Sequence, residues 1–433
     1  MAQIAAMAET TDIITFGCRL NAAESETMRG LAAGAGIADA VVINTCAVTN
    51  EAVRSARQRI RRTKRERPDA RIIVTGCAAQ TEPDAFASMP EVAAVLGNQE
   101  KLDAAQWTEL ARDAPVFEDG DIIRVNDIMS ARDTAGHMID GYGDRARAFL
   151  QIQNGCDHRC TFCIIPYGRG NSRSAPIVQV IEQAKKLVDA GHRELVLTGV
   201  DITSWGADLE ASPRLGALVA AILDQVPDLY RLRLSSIDGA EIDDELFERM
   251  AGDERVAPHL HLSLQSGDNM ILKRMKRRHS REDAISLCDR IRARRPAVAF
   301  GADIIAGFPT ETEEMFQNSL DIVDEAGLSW LHVFPFSPRQ GTPAARMPQL
   351  PRSEVKARAA RLRAKGEAAE TALLESLIGR TEDAILESGG RARLGNFAVF
   401  RIAAPGRVGD VVSVRITGHS DGVLTGAPVG ATA

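Results

Sequence analysis

The chain has 433 residues, of which 45% are hydrophobic and 26% charged, and its formal net charge is −7. This length predicts two or three globular domains, and no apolar stretch reaches the roughly 18 residues that a membrane span needs. Residues 1–12 lack a basic start and a long apolar run, so we expect no secretory signal and a cytoplasmic protein. Seven cysteines in such a chain favour metal binding over a disulfide framework, and the acidic balance alone does not suggest a nucleic-acid partner.

Three predicted strands near the start of the chain each run directly into a cysteine. The segments DIITFGC, AVVINTC and RIIVTGC end at Cys18, Cys46 and Cys77, with spacings of 28 and 31 residues. Such spacing is typical of a strand–helix repeat in a parallel sheet, whose carboxyl strand ends lie together and bind ligands. The thiols are therefore candidate ligands of one iron–sulfur cluster, and the alternative is three separate core cysteines. Between the first two strands, Asn21 and Glu24 have the spacing of a capping box at a helix start.

The next helix, which we expect to begin at Asn50, is strongly basic. Residues 54–67 contain eight Arg or Lys and one Glu, a concentration of charge that suits contacts with RNA phosphates. The alternative is a solvated helix face. A second run at 273–281, with six basic residues and no acidic one, is the weaker candidate. The candidate RNA-binding residues are Arg54, Arg57, Arg61, Arg62, Lys64 and Arg65.

A second group of thiols lies in a short loop after the predicted strand RAFLQIQ. Cys156, Cys160 and Cys163 have the spacing C-x3-C-x2-C. Three thiolates can hold a [4Fe-4S] cluster and leave one iron open for a small molecule. A structural zinc ion is the alternative, but it normally needs a fourth close ligand. We expect the nearby His158 to be a solvated loop residue and not that ligand.

After Cys163 the sequence alternates between predicted strands and helices, the helices including 176–190 and 311–326. Together with the strand before Cys156 there are six such units, which predicts an incomplete (β/α) barrel with one open side. Cys288, on an apolar helix face, is expected to be a core thiol. The remaining predicted strands are 194–199, 230–235, 259–264, 299–307 and 330–336.

From about residue 372 the pattern changes to short strands separated by turns that contain glycine. Alternating apolar and polar residues in these strands predict a small β-barrel. This part of the chain has six Arg and six acidic residues, so it is not basic overall. Any RNA contact here must therefore come from a local face.

These segments together resemble the methylthiotransferases, a family of radical S-adenosylmethionine (SAM) enzymes. C-x3-C-x2-C after a first strand is the radical SAM signature, and further similar segments are FGCRLNAAESE, INTCAVTNEA, VTGCAAQ, HLHLSLQSGDNMILKRMKRRHS, DIIAGFPTET and FPFSPRQGTPAA. The resemblance covers almost the whole chain. It implies an α/β fold with an N-terminal Rossmann-like parallel domain at 10–125, a central partial (β/α)6 radical SAM barrel at 142–371 and a C-terminal OB-like TRAM β-barrel at 372–433.

The resemblance also implies cofactors and their contacts. One [4Fe-4S] cluster on the Cys156 loop would cleave SAM, and a second on the first three cysteines would deliver sulfur. By the same resemblance, six residues contact SAM, although each can instead be a packing, turn or capping residue. These residues are Phe162, Gly199, Asp201, Ser235, Asp238 and Gln265.

The opening GCRLNAAESE is most similar to enzymes that modify N6-threonylcarbamoyladenosine in tRNA. The implied reaction is methylthiolation of carbon 2 of this base at tRNA position 37, by a monomer with flavodoxin or ferredoxin as electron donor. A radical is a reasonable tool because an unactivated aromatic carbon resists acid–base chemistry. Alternative substrates are N6-isopentenyladenosine in tRNA and an aspartate of a ribosomal protein. An iron–sulfur electron carrier and a zinc-stabilised RNA-binding protein are the non-enzyme alternatives.

Overall fold

The computed structural model describes residues 11–112, 122–132, 139, 141–143, 145–403 and 406–429. The first ten residues, which carry most of the expectation about a secretory signal, lie outside the described residues, as do the outer domain bounds 10 and 433. Within the described ranges, no helix combines the length and the apolar character that crossing a bilayer requires.

The first part of the chain forms a parallel sheet with helices between its strands. Its elements are β1 (Asp12–Thr15), α1 (Arg19–Gly34), β2 (Ala40–Thr45), α2 (Asn50–Glu66), β3 (Arg71–Gly76), α3 (Cys77–Thr81), α4 (Pro83–Ala87), β4 (Ala94–Leu96), α5 (Ala104–Ala111) and β5 (Ile123–Arg124). The order in the sheet is β1-β2-β3-β4-β5, and all pairs are parallel. The predicted parallel α/β domain is confirmed, and the carboxyl ends of β1, β2 and β3 lie side by side.

The capping box predicted at Asn21 and Glu24 is wrong. α1 begins at Arg19, and Cys18 occupies the N-cap position without a side-chain cap. Asn21 and Glu24 are buried inside the domain, where their polar groups bind partners from other elements. The start of α2 at Asn50 agrees with the expectation, and Thr49 caps it by accepting a hydrogen bond from the amide of Ala52.

The central part of the chain is the predicted barrel of alternating strands and helices. Its elements are β6 (Arg147–Gln151), β7 (Gln153–Asn154), α6 (Ile165–Arg169), β8 (Arg173–Ser174), α7 (Ile177–Asp189), β9 (Glu194–Thr198), α8 (Leu215–Gln225), β10 (Arg231–Leu234), β11 (Ser236–Ile237), α9 (Asp244–Gly252), β12 (His259–Gln265), α10 (Asn269–Met275), α11 (Arg281–Arg294), β13 (Ala299–Ala306), α12 (Glu313–Glu325), β14 (Leu328–Pro335) and α13 (Arg352–Leu377).

Six parallel strands build the barrel wall in the order β6-β9-β10-β12-β13-β14. A parallel bridge between Leu232 and Val256 joins its two halves. Among the described residues β6 and β14 do not pair, so the barrel is open on that side. Alternation along the strands separates an outer apolar core from a polar inner wall. In β12, for example, Leu260 and Leu262 belong to the core, whereas His259 and His261 alternate with them.

The last part of the chain is a closed five-stranded barrel, as predicted. Its strands are β15 (Thr381–Glu387), β16 (Arg391–Leu394), β17 (Val399–Arg401), β18 (Val411–Ser420) and β19 (Val423–Pro428), in the order β15-β16-β17-β19-β18. It contacts the open side of the central barrel. Glu387 of β15 forms an ion pair with Arg147 of β6 at 2.9 Å, and the indole N–H of Trp330 of β14 donates to the carbonyl of Asn396 at 3.0 Å.

Candidate iron–sulfur and cofactor sites

The first three cysteines lie together at one edge of the N-terminal sheet. Cys18 follows β1 after a two-residue turn, and Cys46 and Cys77 directly follow β2 and β3. Gly17, at a φ of +93°, brings the backbone so close that a Cβ there would lie 2.8 Å from the Cβ of Cys46. Burial, with repulsion from Cys77 and Cys18, raises the pKa of Cys46 to about 11. The three thiols therefore lie at the same edge of the sheet, as the spacing in the sequence predicts.

The second triad lies in the loop between β7 and α6. The amide of Cys163 donates to the carbonyl of Cys160 at 3.1 Å, which holds the loop in a tight turn. Burial, with repulsion from Cys160, raises the pKa of Cys163 to about 12. Cys163 also interacts electrostatically with Cys77 of the first triad. The two triads are thus neighbours, although they come from separate domains.

The spacing of the thiols suits a cluster better than a single metal ion. A tetrahedral zinc with bonds of about 2.3 Å holds its sulfur ligands about 3.8 Å apart. In the part of the chain that the structure describes, no three thiols lie within 4.8 Å of one another. A cubane of iron and sulfide separates its thiolates more widely because each sulfur binds a different iron. Three thiols at such a wider spacing are what a [4Fe-4S] cluster with one iron left without a cysteine would require.

A buried arginine connects the two sites. Arg169, at the end of α6, donates Nε to the Sγ of Cys77 at 3.2 Å, and its other nitrogens donate to Glu24 at 2.7 and 2.9 Å. Lys101 also donates to Glu24, at 2.7 Å, and all three charged groups are almost fully buried. Against the effect of burial, Arg169 and Lys101 lower the pKa of Glu24 to about 2. The guanidinium charge next to Cys77 would favour the negative charge of a bound cluster.

Asp201, one of the predicted SAM contacts, lies beside the Cys156 loop. Its Oδ2 is 2.8 Å from Nε2 of His158 and 3.9 Å from the Sγ of Cys156. His158 also approaches Glu241 at 3.6 Å, and the hydrogen bond with Asp201 together with the nearby Glu241 raises the pKa of His158 to about 10. The expectation of a solvated His158 is wrong, because the carboxylates that hold it follow β9 and β11 and are far away in the sequence.

Asp238, another predicted contact, is bound by an arginine that the sequence analysis assigned to a basic run. Arg277 donates to Asp238 at 2.9 Å, to the carbonyl of Ser263 at 2.7 Å and to the Sγ of Cys160 at 3.7 Å. Burial opposes ionisation, but His279, whose Nδ1 lies 3.7 Å from Oδ1, and the charge of Arg277 keep the pKa of Asp238 below its usual range. Arg277 thus links the cysteine loop to the carboxyl ends of two strands.

The remaining predicted SAM contacts lie around the same end of the barrel. Gly199 has no room for a side chain, since a Cβ there would lie 2.9 Å from the carbonyl oxygen of Gln153. Gln265 adopts a φ of +73°, which is unusual for a residue with a side chain, next to a register shift in β12. Ser235 is buried, and Phe162 packs on the apolar cluster around Phe308. Their contacts with SAM stay predictions.

The basic helix α2 presents cationic side chains on the surface of the first domain. Arg54, Arg61 and Arg65 are exposed, and no hydrogen bond or ion pair joins them to any residue the structure describes. Of the other candidates, Arg57 pairs with Glu82, Arg62 pairs with Glu66, and Lys64 binds the carbonyl of Ala70.

The second basic run, residues 273–281, is largely structural. Arg274 donates to the carbonyl and the hydroxyl of Thr310, and Arg281 binds the carbonyls of Gly267 and Asn318. Together with Arg277, these residues use their charges inside the barrel domain. Only Lys273, Lys276 and Arg278 of the six basic residues are exposed. This run is therefore a poor candidate for RNA binding.

Comparison with known proteins identifies the family. Residues 10–97 match an uncharacterized protein family, UPF0004, and residues 150–323 match the radical SAM superfamily. The threonylcarbamoyladenosine tRNA methylthiotransferase MtaB of Rickettsia prowazekii is 48% identical over 413 residues, which cover 95% of this chain and 96% of that protein. The chain belongs to the radical SAM methylthiotransferase family. As a member it is an enzyme that uses SAM and two [4Fe-4S] clusters.

Other radical SAM methylthiotransferases match over most of their length. MtaB of Bacillus subtilis is 40% identical over 77% of this chain and 74% of that protein. The tRNA-2-methylthio-N(6)-dimethylallyladenosine synthase of Cereibacter sphaeroides is 34% identical over 97% of this chain and 98% of that protein. Among solved structures, the radical SAM methyltransferase TsrM of Kitasatospora setae gives a TM-score of 0.49, with 17% identity over 74% of this chain and 68% of that chain.

Proposed function

We propose that this enzyme transfers a methylthio group to carbon 2 of N6-threonylcarbamoyladenosine at position 37 of tRNA. The observation that carries the proposal is the 48% identity to an MtaB enzyme across 95% of the chain. The relative named for dimethylallyladenosine matches over a similar length at only 34% identity. The threonylcarbamoyl base is therefore favoured over the isopentenyl base as substrate.

The six grouped cysteines are the proposed cluster ligands. The Cys156 loop would hold the cluster that binds SAM, and the triad at the sheet edge would hold the second cluster. When bound, these groups supply the reductive cleavage of SAM and the sulfur that is transferred. The ligands in this proposal are Cys18, Cys46, Cys77, Cys156, Cys160 and Cys163.

The protein's own contribution is to hold the two sites close together. A Cβ on Gly168 would lie 3.3 Å from the Cβ of Cys77, so the segment after the Cys156 loop packs directly on the second site. Arg169 and Arg277 place donors against one sulfur of each triad. A base bound between the triads can thus be near both. Preorganised placement of this kind is the main way in which a protein assists cofactor chemistry.

The remaining parts of the proposal concern partners and location. We infer that tRNA binds along the exposed charges of α2, that flavodoxin or ferredoxin supplies electrons, and that the enzyme acts as a monomer in the cytoplasm. Phosphate binding needs concentrated positive charge, and α2 offers three arginines without acidic partners in the described structure.

The substrate is tested by mass spectrometry of tRNA nucleosides from cells that lack the gene. We expect the 2-methylthio form of N6-threonylcarbamoyladenosine to disappear and the unmodified parent nucleoside to accumulate. The 2-methylthio form of the isopentenyl nucleoside should stay at its normal level. Loss of the isopentenyl form alone would assign the enzyme to the other substrate.

The role of α2 is tested by the double substitution Arg61→Gln and Arg65→Gln. Two lost phosphate contacts should weaken tRNA binding about tenfold at low salt and lower the slope of log Kd against log salt by about 1.4 to 1.8. Fluorescence anisotropy with labelled tRNA measures both values. Arg29→Gln, on the neighbouring helix α1, is the matched control because Arg29 pairs with Glu26. An unchanged salt slope in the double variant would place the RNA elsewhere.

A further inference from the structure

Five basic side chains line one space inside the barrel, and none of them has a role in the reaction proposed above. Arg233 lies on β10, His259 and His261 on β12, and His332 on β14. Arg19 reaches the same space from the start of α1, where it interacts electrostatically with Arg233 and His259. We call these five residues the inner basic cluster. His259 interacts electrostatically with each of the other four residues.

An aromatic residue from the C-terminal barrel forms the floor of this space. The ring of Phe397 stacks on His259, with ring centroids 4.9 Å apart and planes inclined by 22°. The guanidinium carbons of Arg233 and Arg19 lie 5.2 and 5.9 Å from the centre of the same ring. All three domains therefore contribute to the inner basic cluster and its floor.

Positive charge exceeds negative charge around this space. In the described part of the chain, Glu194 pairs with Arg233 at 2.7 Å and with Arg231 at 3.3 Å. Glu387 pairs in the same way with Arg147 and Arg393. Asp303 is the third carboxylate, and Glu382, which interacts electrostatically with Arg231, is the fourth, so five guanidinium groups face four acids and one positive charge is unmatched. The guanidinium groups are those of Arg19, Arg147, Arg231, Arg233 and Arg393.

Several donors of the inner basic cluster have no partner. Arg19 makes no hydrogen bond or ion pair with any residue that the structure describes. Both ring nitrogens of His259, which is 3% exposed, and Nη1 of Arg233 are buried without a hydrogen bond. Burial and the neighbouring cations hold the pKa of His259 well below its usual range, so its ring stays neutral. Buried donors without acceptors are uncommon in folded proteins, and these are donors that a bound anion could satisfy.

A divalent cation is a poor candidate for that ligand. His261 and His332 both approach Asp303, at 2.9 and 3.2 Å, and two imidazoles with one carboxylate can bind a transition metal. However, Asp303 is the only acid of this group, and the guanidinium groups nearby repel a cation. The same charges attract an anion, and arginine is especially suited to bind a carboxylate.

We propose that the inner basic cluster binds the carboxylate of the threonylcarbamoyl group of the substrate base, with Arg19 as the principal donor. This inference rests on the function proposed above, and it explains how the enzyme distinguishes this base from one with an uncharged isopentenyl group. Asp303 lies three residues before the end of β13 at Ala306, or about 10 Å at 3.3 Å per residue. A purine and its extended side chain can span that distance from the SAM end of the barrel.

The position of Arg19 connects recognition to reaction. Arg19 directly follows Cys18, a proposed ligand of the second cluster, so a carboxylate bound there fixes the base beside the site of sulfur transfer. Arg19 is therefore proposed as a residue that determines specificity and positions the substrate. Arg233 is unsuited to a simple test because its substitution would also leave Glu194 buried without its main partner.

The test compares Arg19→Met with Arg29→Met in the anaerobically reconstituted enzyme. Affinity is measured for anticodon stem-loop RNAs that carry either N6-threonylcarbamoyladenosine or unmodified adenosine at position 37. We expect Arg19→Met to raise the Kd for the modified RNA about 10- to 100-fold and to leave the Kd for the unmodified RNA unchanged. Arg29→Met should change neither value. Cleavage of SAM without RNA should stay at the wild-type rate in Arg29→Met, and the iron and sulfide content of both variants is compared with that of the wild type.

The outcomes separate this inference from the proposed function. If the wild-type enzyme makes methylthio product on the modified RNA and Arg19→Met binds both RNAs as the wild type does, the carboxylate site is refuted and the function stands. An equal loss of affinity for both RNAs also refutes it, because Arg19 would then be a general phosphate contact. If the wild-type enzyme makes no product on the modified RNA, the proposed function itself fails. Binding of Zn²⁺ that is lost in His332→Ala would show a cation site and overturn the inference.

Discussion

Replacing Cys160 by alanine is expected to abolish reductive cleavage of SAM while the fold survives. Cys160 is only partly buried, so its truncation leaves no large cavity, but it would remove one of the three ligands proposed for the radical-generating cluster. Changes to groups that merely support a metal ligand already cost about 10- to 100-fold, and loss of a ligand should cost more. With dithionite as reductant, formation of 5′-deoxyadenosine should fall to the level measured without enzyme.

Cys288→Ala is the matched control for this prediction. Cys288 is fully buried in the barrel core, far in sequence from both triads, and burial raises its pKa to about 12. Its substitution should lower stability by about 1 kcal/mol and leave the iron content and the rate of SAM cleavage unchanged. Circular dichroism checks the fold of both variants. Wild-type SAM cleavage by Cys160→Ala would exclude this residue as an essential ligand.

Replacing Cys46 by alanine should separate the two halves of the reaction. Cys46 belongs to the triad at the sheet edge, so the Cys156 loop stays complete and SAM cleavage should continue. Methylthio product should be lost, because the cluster proposed to deliver sulfur lacks a ligand. The iron content of the reconstituted variant should fall to about half, since each cluster holds four irons.

The measurements for Cys46→Ala are made on one preparation. Iron and sulfide analysis, 5′-deoxyadenosine formation and nucleoside mass spectrometry of the RNA product are compared with those of the wild type and of Cys288→Ala. Normal methylthio product from Cys46→Ala would remove the sulfur role of the first triad. Loss of SAM cleavage together with product would instead show that the two sites depend on each other.

The pattern of the sequence predicts the fold and the grouping of cysteines well, because both depend on regular periods. A strand followed by a thiol, repeated at similar spacing, leads directly to three cysteines at one sheet edge. The six barrel strands and the C-terminal barrel follow from hydrophobic alternation in the same way. These features are local or repeat along the chain, so a single sequence contains them.

Charge partners are harder to predict, because they come from distant parts of the chain. Asn21 and Glu24 have the spacing of a helix cap, but their partner is Arg169, almost 150 residues later. Arg277 belongs to a run that is basic in sequence, yet it binds Asp238 and the Cys160 sulfur. The inner basic cluster likewise combines residues from three strands and from α1, so no local sequence pattern predicts it.

The buried ion pair between Arg169 and Glu24 joins the barrel to the first domain, so we expect the two domains to be exchanged together and not one at a time. A chimera that joins the first domain of one relative to the barrel of another must keep matching side chains on both sides of this junction. A barrel without Arg169 would leave Glu24 paired with Lys101 alone, and a first domain without Glu24 would leave the buried Arg169 guanidinium without this carboxylate. Breaking a buried pair in this way costs about 3–5 kcal/mol, which is a large share of a typical folding free energy. Successful domain grafting within this family should therefore track this single pair more closely than overall sequence similarity.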